Sequence, residues 1–187
     1  MNPGGGGGGG GSNTGGPGGG PTLNGSPMIM GTFGGQDISM VADGNTVIVN
    51  STMAPGTPTL WISGVIDVPA MQFANFFFGT LETMPTNAEF SALFSTGTMP
   101  YAIVQGLMED GVEFEYLDED QMEWRTSCGT ADQSGSTFEI TAVQSTSGPD
   151  GLSMRIVGKF TAKLYECNSG DMMQVTDGKF RLDIPNY

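Results

Sequence analysis

From Leu152 to Ile184 the chain reads LSMRIVGKFTAKLYECNSGDMMQVTDGKFRLDI, and no other stretch limits the fold as tightly. In its first arm Met154, Ile156, Phe160, Ala162 and Leu164 alternate with Arg155, Lys159, Thr161 and Lys163. A repeat of two is that of a β-strand with one buried face. Gly158 falls on the buried side. In the second arm Met173 and Val175 hold odd positions while Phe180, Leu182 and Ile184 hold even ones, so the apolar phase slips across Asp177-Gly178. One extra residue there returns both parts to a single face, and a glycine with positive φ suits the commonest bulge. That pairing sets Leu164 against Met173, Ala162 against Val175, Gly158 under Phe180 and Ile156 against Leu182. A ring lying over the glycine compensates for its missing side chain. The same alternation also permits a two-residue turn at Asp177-Gly178 with Val175 opposite Phe180. The bulge leaves two arms of matched length and is the preferred reading.

Residues 1–27 contain no charged residue and no aromatic, and glycine dominates them. Such a segment buries too little apolar surface to offset its ordering entropy, so a disordered, glycine-rich tether is expected. A polyglycine strand ordered by neighbours in an assembly is the second reading. From Pro27 onward, short alternating segments are separated by Gly, Asp-Gly and Pro signals, the pattern of an antiparallel sandwich or barrel. Met28 to Phe33 and Gln36 to Val41 flank a Gly34-Gly35 turn, and Thr46 to Asn50 returns as a third strand after Asp43-Gly44. Asp-Gly recurs at Asp110, Asp150 and Asp177, but at irregular spacings, so turn chemistry explains it better than a calcium repeat.

Thr59 to Ile66 and Gln72 to Thr80 are apolar on both faces, which calls for cover on both sides. Thr86 and Glu89 have capping-box spacing, and Phe90, Leu93 and Phe94 then share one helical face before Gly97. A short helix near 86–96 would supply that cover. The alternative leaves Trp61, Phe76 or Phe78 exposed as a ligand-binding patch. Pro100 to Leu107 reads as a strand, and Val112 to Thr126 as a hairpin around Leu117 to Asp120. In that hairpin Val112, Phe114, Tyr116, Met122 and Trp124 face inward, while Glu113, Glu115, Glu123 and Arg125 face out. Phe114 opposite Trp124 would set Glu115 against Glu123, a destabilising pair of like charges. Thr137 to Val143 leads through a turn at 147–151 into the C-terminal hairpin. The expected architecture is one all-β domain over residues 28–187, an antiparallel β-sandwich of about ten strands with one short helix.

The chain carries 20 acids, 6 bases and no histidine, for a net charge of −14. Every base lies at or after Arg125, and the thirteen acids from Asp37 to Glu123 have no compensating cation. Nucleic acid and anionic lipid surfaces would be repelled. Cations and basic partners stay open, with the solubility of a surface protein as the plainer explanation. The absence of histidine rules out Ser-His-Asp and Cys-His catalysis and imidazole ligands to zinc. Cys128 and Cys167 are too few for a structural zinc or an iron–sulfur cluster, and read as one disulfide made in an oxidising compartment. Two reduced, half-buried thiols are the other reading.

No apolar run is long enough to span a bilayer. MNPGGGG lacks the basic start and apolar segment of a signal peptide. Either Met1 is an artificial start standing in for a removed signal, or the protein is cytosolic and the cysteines stay reduced; the glycine tether favours the first.

Eight carboxylates fall between Glu109 and Glu123. Oxygen ligands from a turn and its flanking strands suit a hard cation, so Asp118, Asp120, Glu115 and Glu123 are candidate calcium ligands. The run lacks an EF-hand spacing, and a solvated acidic hairpin is the plainer reading. Glu113 and Glu115 sit roughly 7 Å apart by strand rise, within the range of an inverting glycosidase pair. Nearly any exposed strand offers such a pair, so no catalytic residue is assigned and no enzyme activity is expected. A sugar-binding module using Trp61, Phe76 or Phe78 as a platform asks only for an exposed aromatic.

The segment Gly158 to Leu164 (GKFTAKL), a variable turn, then Val175 to Phe180 (VTDGKF) and a terminal strand resembles a group of secreted Gram-negative lipoproteins of unknown function. Their pattern is a G-x-F strand and a final T-[ND]-G-x-F segment, and Gly31 to Gln36 is similar to their first hairpin. The likeness covers the last third of the chain plus that hairpin. It implies a β-sandwich displayed outside the inner membrane, with a lipid anchor on a cysteine upstream of Met1, and it transfers no catalytic residue. The functional expectation is a non-catalytic, surface-displayed or secreted module with a binding or structural role in the cell envelope and a protein or glycan partner. The alternative is a calcium-assisted carbohydrate-binding module.

Overall fold

The alternating segment from Met154 to Leu164 lies within a strand of sixteen residues, paired along its length with the bulged strand that follows it. The computed structural model describes residues 21–42, 46–51, 59–67, 71–81, 85–102, 111–148 and 151–186. In chain order the elements are β1 (Met28–Phe33), β2 (Gln36–Val41), β3 (Thr46–Ser51), β4 (Thr59–Asp67), β5 (Gln72–Leu81) and α1 (Asn87–Ala92). They continue with β6 (Gly97–Met99), β7 (Glu113–Leu117), β8 (Glu123–Arg125), β9 (Thr137–Gly148), β10 (Gly151–Glu166) and β11 (Met172–Asn186).

In the β10–β11 pair Leu164 stands opposite Met173, Ala162 opposite Val175, Gly158 opposite Phe180 and Ile156 opposite Leu182. The register slips between Phe160 and Ala162, so the bulge is formed and the two-residue turn is not. The left-handed residue of the bulge, however, is Asp177, with φ 53°. Gly178 serves proximity instead: a Cβ there would lie 2.5 Å from the Phe160 carbonyl oxygen and 2.6 Å from the Phe160 ring. At Gly158 a Cβ would lie 2.2 Å from the Glu139 carbonyl oxygen and 2.3 Å from Phe180 Cζ. Each of the two phenylalanines therefore covers a glycine on the opposite strand.

β1 adds to the free edge of β11, with Ile29 opposite Phe180, and β2 follows through Gly34-Gly35. Both turn glycines have positive φ, 56° and 91°, as a tight hairpin turn requires. On its other edge β10 pairs with β9 from Gly151 to Thr161 and with β8 at Tyr165 and Glu166. β6 continues beyond β9, while β7, β5, β4 and β3 continue in that order beyond β8. One long strand thus belongs to two runs, as corner strands of packed sheets do. β4 comes within 8 Å, Cα to Cα, of β1, β2 and β11. The fold is all-β, antiparallel and sandwich-like, with eleven strands among the described residues where about ten were expected. The third strand does not return onto β2. β3 pairs with β4 instead, Val49 opposite Gly64, because a turn signal announces a reversal without naming the edge that receives it.

Phe76 of β5 sits where the two runs meet. It is fully buried, stacks on Phe114 at 4.5 Å and meets Phe138, Phe160 and Phe180 with ring centres 5.1 to 5.2 Å away. Phe138 in turn stacks on Phe180 at 4.9 Å. Phe78 packs on Phe94, which packs on Phe90 of α1. The capping box at Thr86 and Glu89 is formed. The helix ends at Ala92 rather than near 96, with Leu93 as its C-cap, and Phe94 packs from just beyond it.

The expected boundary after Pro27 falls inside ordered chain. Arg181, 9% exposed, donates from Nε to the Thr22 carbonyl (2.8 Å) and from Nη1 to that of Ser26 (2.9 Å). Arg155 pairs with Asp183 through two 2.6 Å contacts and also donates to the Leu23 carbonyl at 3.0 Å. Carbonyl acceptors carry no side-chain signature, so this strap has none in the sequence. Residues 1–20 of the expected tether, and 103–110 of the expected strand and acidic run, lie outside the described residues.

Gly158→Ala is expected to cost about 3 kcal/mol, because the new methyl meets backbone on one side and a core ring on the other. Asp177→Gly is expected to stay within about 1 kcal/mol of wild type, relieved backbone strain offsetting added chain entropy. Urea unfolding of both variants checks the pair. A chain beginning at Met28 is expected to be about 1–3 kcal/mol less stable than one beginning at Pro21, since Arg181 then keeps a half-desolvated guanidinium without its acceptors; parallel thermal melts read the difference.

Candidate functional site

Three hairpin turns converge at one end of the molecule, and a cleft of about 510 Å³ lies among them. The β1–β2 hairpin contributes Phe33, Gly34, Gln36 and Ile38. The β7–β8 hairpin contributes Tyr116, Asp118 and Trp124, and the start of β11 contributes Met172, Met173 and Gln174. The floor is aromatic: Phe33 and Tyr116 are buried and pack together at 4.9 Å. Trp124 is half-buried at the wall, and Met172, 55% exposed, stands at the rim.

Asp118 organises this end of the cleft. Its Oδ1 accepts from the backbone N–H of Asp120 (3.0 Å) and Met122 (2.9 Å), closing the turn, while Oδ2 accepts from the Trp124 indole Nε1 at 2.8 Å. The indole is thereby held in one orientation with its N–H engaged, leaving the ring's face as its available surface. Burial, and then the charges of Asp118 and Glu119, push the Tyr116 phenol up to about 12. The phenol oxygen accepts from Gln72 Nε2 at 3.2 Å.

The β10–β11 turn beside the cleft is tied by the Cys128–Cys167 disulfide, whose Cα atoms are 5.1 Å apart. It joins the segment after β8 to the β10–β11 turn across 39 positions of sequence. Closing a loop of that size removes roughly 3–4 kcal/mol of chain entropy from the unfolded state. The turn carries its own cap: the Glu166 carboxylate accepts from the backbone N–H of Ser169 and Asn168 and from the Asn168 amide. Those contacts, with Ser169 the largest, hold its pKa down to about 2.

The opposite face of the same hairpin corrects the sequence reading. Tyr116, not Phe114, stands opposite Trp124, and Glu115 stands opposite Arg125. The two-residue difference in register replaces a like-charge pair with an ion pair. Glu113 and Glu115, expected to point into solvent, are only 1% and 6% exposed. Arg125 donates to Glu113 (3.2 Å), to Glu115 (2.7 Å) and to Glu123, and its guanidinium lies over the Phe77 ring. Ser127 donates to Glu113 at 2.6 Å, and Asn75 to Glu115 at 3.3 Å. Burial pushes the Glu115 carboxyl up against the opposing pull of Arg125 and Asn75.

The candidate calcium ligands are therefore not brought together. Strand alternation sends Asp118 toward Trp124, on the cleft side, while Glu115 and Glu123 meet Arg125 on the other. Asp120 is exposed in the turn. No group of three or more acidic, cysteine or histidine side chains able to hold a metal is found among the described residues. The exposed-platform reading of Phe76 and Phe78 is also corrected. At 0% and 3% exposure both belong to the core, because the folded-back sheet and α1 cover β5 on that side. Trp61 lies in β4, for which the backbone course alone is described. Sequence reasoning missed Trp124 and Tyr116 as cleft residues, having placed them among inward-facing core positions. The available signal was their place at the end of an inward row, beside a turn rich in acids.

Fold and site together define an all-β, disulfide-bonded protein with a turn-lined cleft at one end. Compared with family models, with curated proteins and with solved structures, the chain matches none of them. Among the described residues no helix is long and apolar enough to cross a membrane.

Arg125→Met is expected to lose about 3–5 kcal/mol, since three carboxylates are left without their cation. A carboxylate whose folded pKa is raised stabilises the fold below its ordinary pKa and loses that contribution as the pH rises through the raised value. Glu115→Gln should therefore lose less stability at about pH 8 than at about pH 4. Chemical denaturation at both pH values measures each effect.

Proposed function

We propose that this protein is a non-catalytic, extracytoplasmic binding module that takes its partner in the cleft between the β1–β2, β7–β8 and β10–β11 turns. The observation that carries this reading is the bracing of the cleft. Asp118 fixes Trp124 on one side, and the Cys128–Cys167 bridge ties the neighbouring β10–β11 turn. A recognition surface held in its binding geometry loses less entropy on association than a mobile one. The disulfide is compatible with an oxidising compartment. The resemblance of the Gly158 to Leu164 and Val175 to Phe180 segments to secreted lipoproteins supports the same location. Glu113 and Glu115, the nearest approach to a hydrolytic pair, are engaged with Arg125 and Ser127, which supports a non-catalytic role.

A second reading, a carbohydrate-binding module, rests on the half-buried Trp124 ring in the same cleft rather than on Phe76 or Phe78. It does not need calcium.

Photo-crosslinking in intact cells tests the proposal, with a benzophenone amino acid placed at Met172 on the rim or at exposed Thr141 on β9 as a control. Free thiols are alkylated before lysis. A discrete adduct from position 172 and none from 141, on a disulfide-bonded chain in the envelope fraction or medium, is the expected result. Reduced chain in the cytosol, or the same adducts from both positions, would overturn it.

A further inference from the structure

The chemistry of the cleft selects for one kind of partner. Its walls combine the π faces of Trp124, Tyr116 and Phe33 with the thioethers of Met172 and Met173. Aromatic faces attract cations, best of all a planar guanidinium that can stack on indole. Methionine side chains adapt to the shape of what they cover. Among the described residues Asp118 is the one charged residue that lines the cleft, and no base lines it. Beyond it the mouth is acidic on two sides. Glu119 and Asp120 follow Asp118 in the same turn, and Asp171 precedes the lining Met172; all three are exposed. Asp37 accepts from Thr32 Oγ1 on the other face of the β1–β2 hairpin.

The protein's own cations do not neutralise this end. Arg125 is committed to Glu113, Glu115 and Glu123, Arg155 to Asp183, Lys159 to Glu139 and Lys163 to Asp132. Arg181 is committed to the strap carbonyls, and Lys179 stands in β11 opposite Met30 and Lys159, outside the cleft lining. The negative field of a chain with net charge −14 is therefore left open at the cleft mouth.

Resting on the binding-module reading above, we propose that the cleft takes a basic polypeptide segment of a partner protein. One arginine or lysine side chain enters against Trp124, and flanking basic residues meet the carboxylates of the β7–β8 and β10–β11 turns. A single ammonium headgroup fits these observations less well. A volume of about 510 Å³ exceeds what one such group fills, and exposed carboxylates from two turns call for more than one cation.

The test is methyl NMR on the full chain carrying ¹³C-methyl methionine, with the Met172 and Met173 signals assigned by substitution. The probes are a capped pentapeptide with arginine at its second and fourth positions, the same peptide with glutamine there, and a neutral β-linked glucose oligomer. The arginine peptide is expected to shift the Met172 and Met173 methyls saturably, with affinity falling about tenfold between about 50 and about 300 mM salt. Trp124→Leu and Met172→Lys should each weaken it about tenfold or more. Met172 is exposed, so its lysine variant is expected to keep the wild-type melting temperature, and the Met173 methyl still reports binding. Equal binding of the glutamine peptide, or shifts spread alike over Met71, Met122 and Met172, would overturn the proposal. A response to the glucose oligomer and not to the arginine peptide would leave the cleft as a binding site and remove the basic partner. No response to any probe would remove both.

Discussion

Phe180 over Gly158 and Phe160 over Gly178 form the interlock on which the rest of the structure is hung. Where two strands cross a bulge, alternation alone does not hold the register, because the extra residue frees a slip in either direction. Here a slip of one residue would drive a ring into a side chain instead of a glycine and would turn Leu182 and Ile184 out of the core. With that register held, Phe160 and Phe180 present their rings to Phe76 from the other run of strands. The two-layer core is thus a consequence of the hairpin.

Having one strand in two runs explains why both sides of β7 are buried. The inward side carries Phe114 and Tyr116 into the aromatic core, as an alternating strand should. The outward side carries Glu113 and Glu115, and burying carboxylates is tolerable only where charge and hydrogen bonds answer them. Arg125 answers both, Ser127 donates to the same Glu113 oxygen, and Asn75 donates to the second oxygen of Glu115. A cluster of this kind is sensitive to which partner is removed: loss of the cation strands three anions, while loss of Glu115 reduces an excess of negative charge.

The cleft inherits its rigidity from the same arrangement. Three turns meet because β11 lies between β1 and β10, and because β8 lies between β10 and β7. The disulfide and the Glu166 cap hold one turn, and Asp118 holds another while orienting Trp124. Charge is distributed unevenly around this frame. Five of the six bases, on β8, β10 and β11, are engaged there by carboxylates or strap carbonyls, whereas the β7–β8 and β10–β11 turns beside the cleft keep exposed carboxylates, a field that favours a cationic partner.

The C-terminal register could be read directly because it rests on local facts: apolar phase, a one-residue slip and a ring opposite a glycine. The same holds for the Gly34-Gly35 turn and the Thr86 capping box, whose causes lie within a few residues of their effects. The Cys128–Cys167 pair followed from a count, since two cysteines allow one bridge. The partner of β3, the burial of Glu113 and Glu115, the strap on Arg155 and Arg181, and the cleft itself depended on chain brought in from far away. Alternation says that two faces of a strand differ, but not which neighbour covers the second one. For β7 that choice was made by Arg125 opposite Glu115, and for Trp124 by an acidic turn that drew its indole to the end of the core. Side-chain period is a property of consecutive residues, whereas desolvation is a property of whatever the fold lays on top of them.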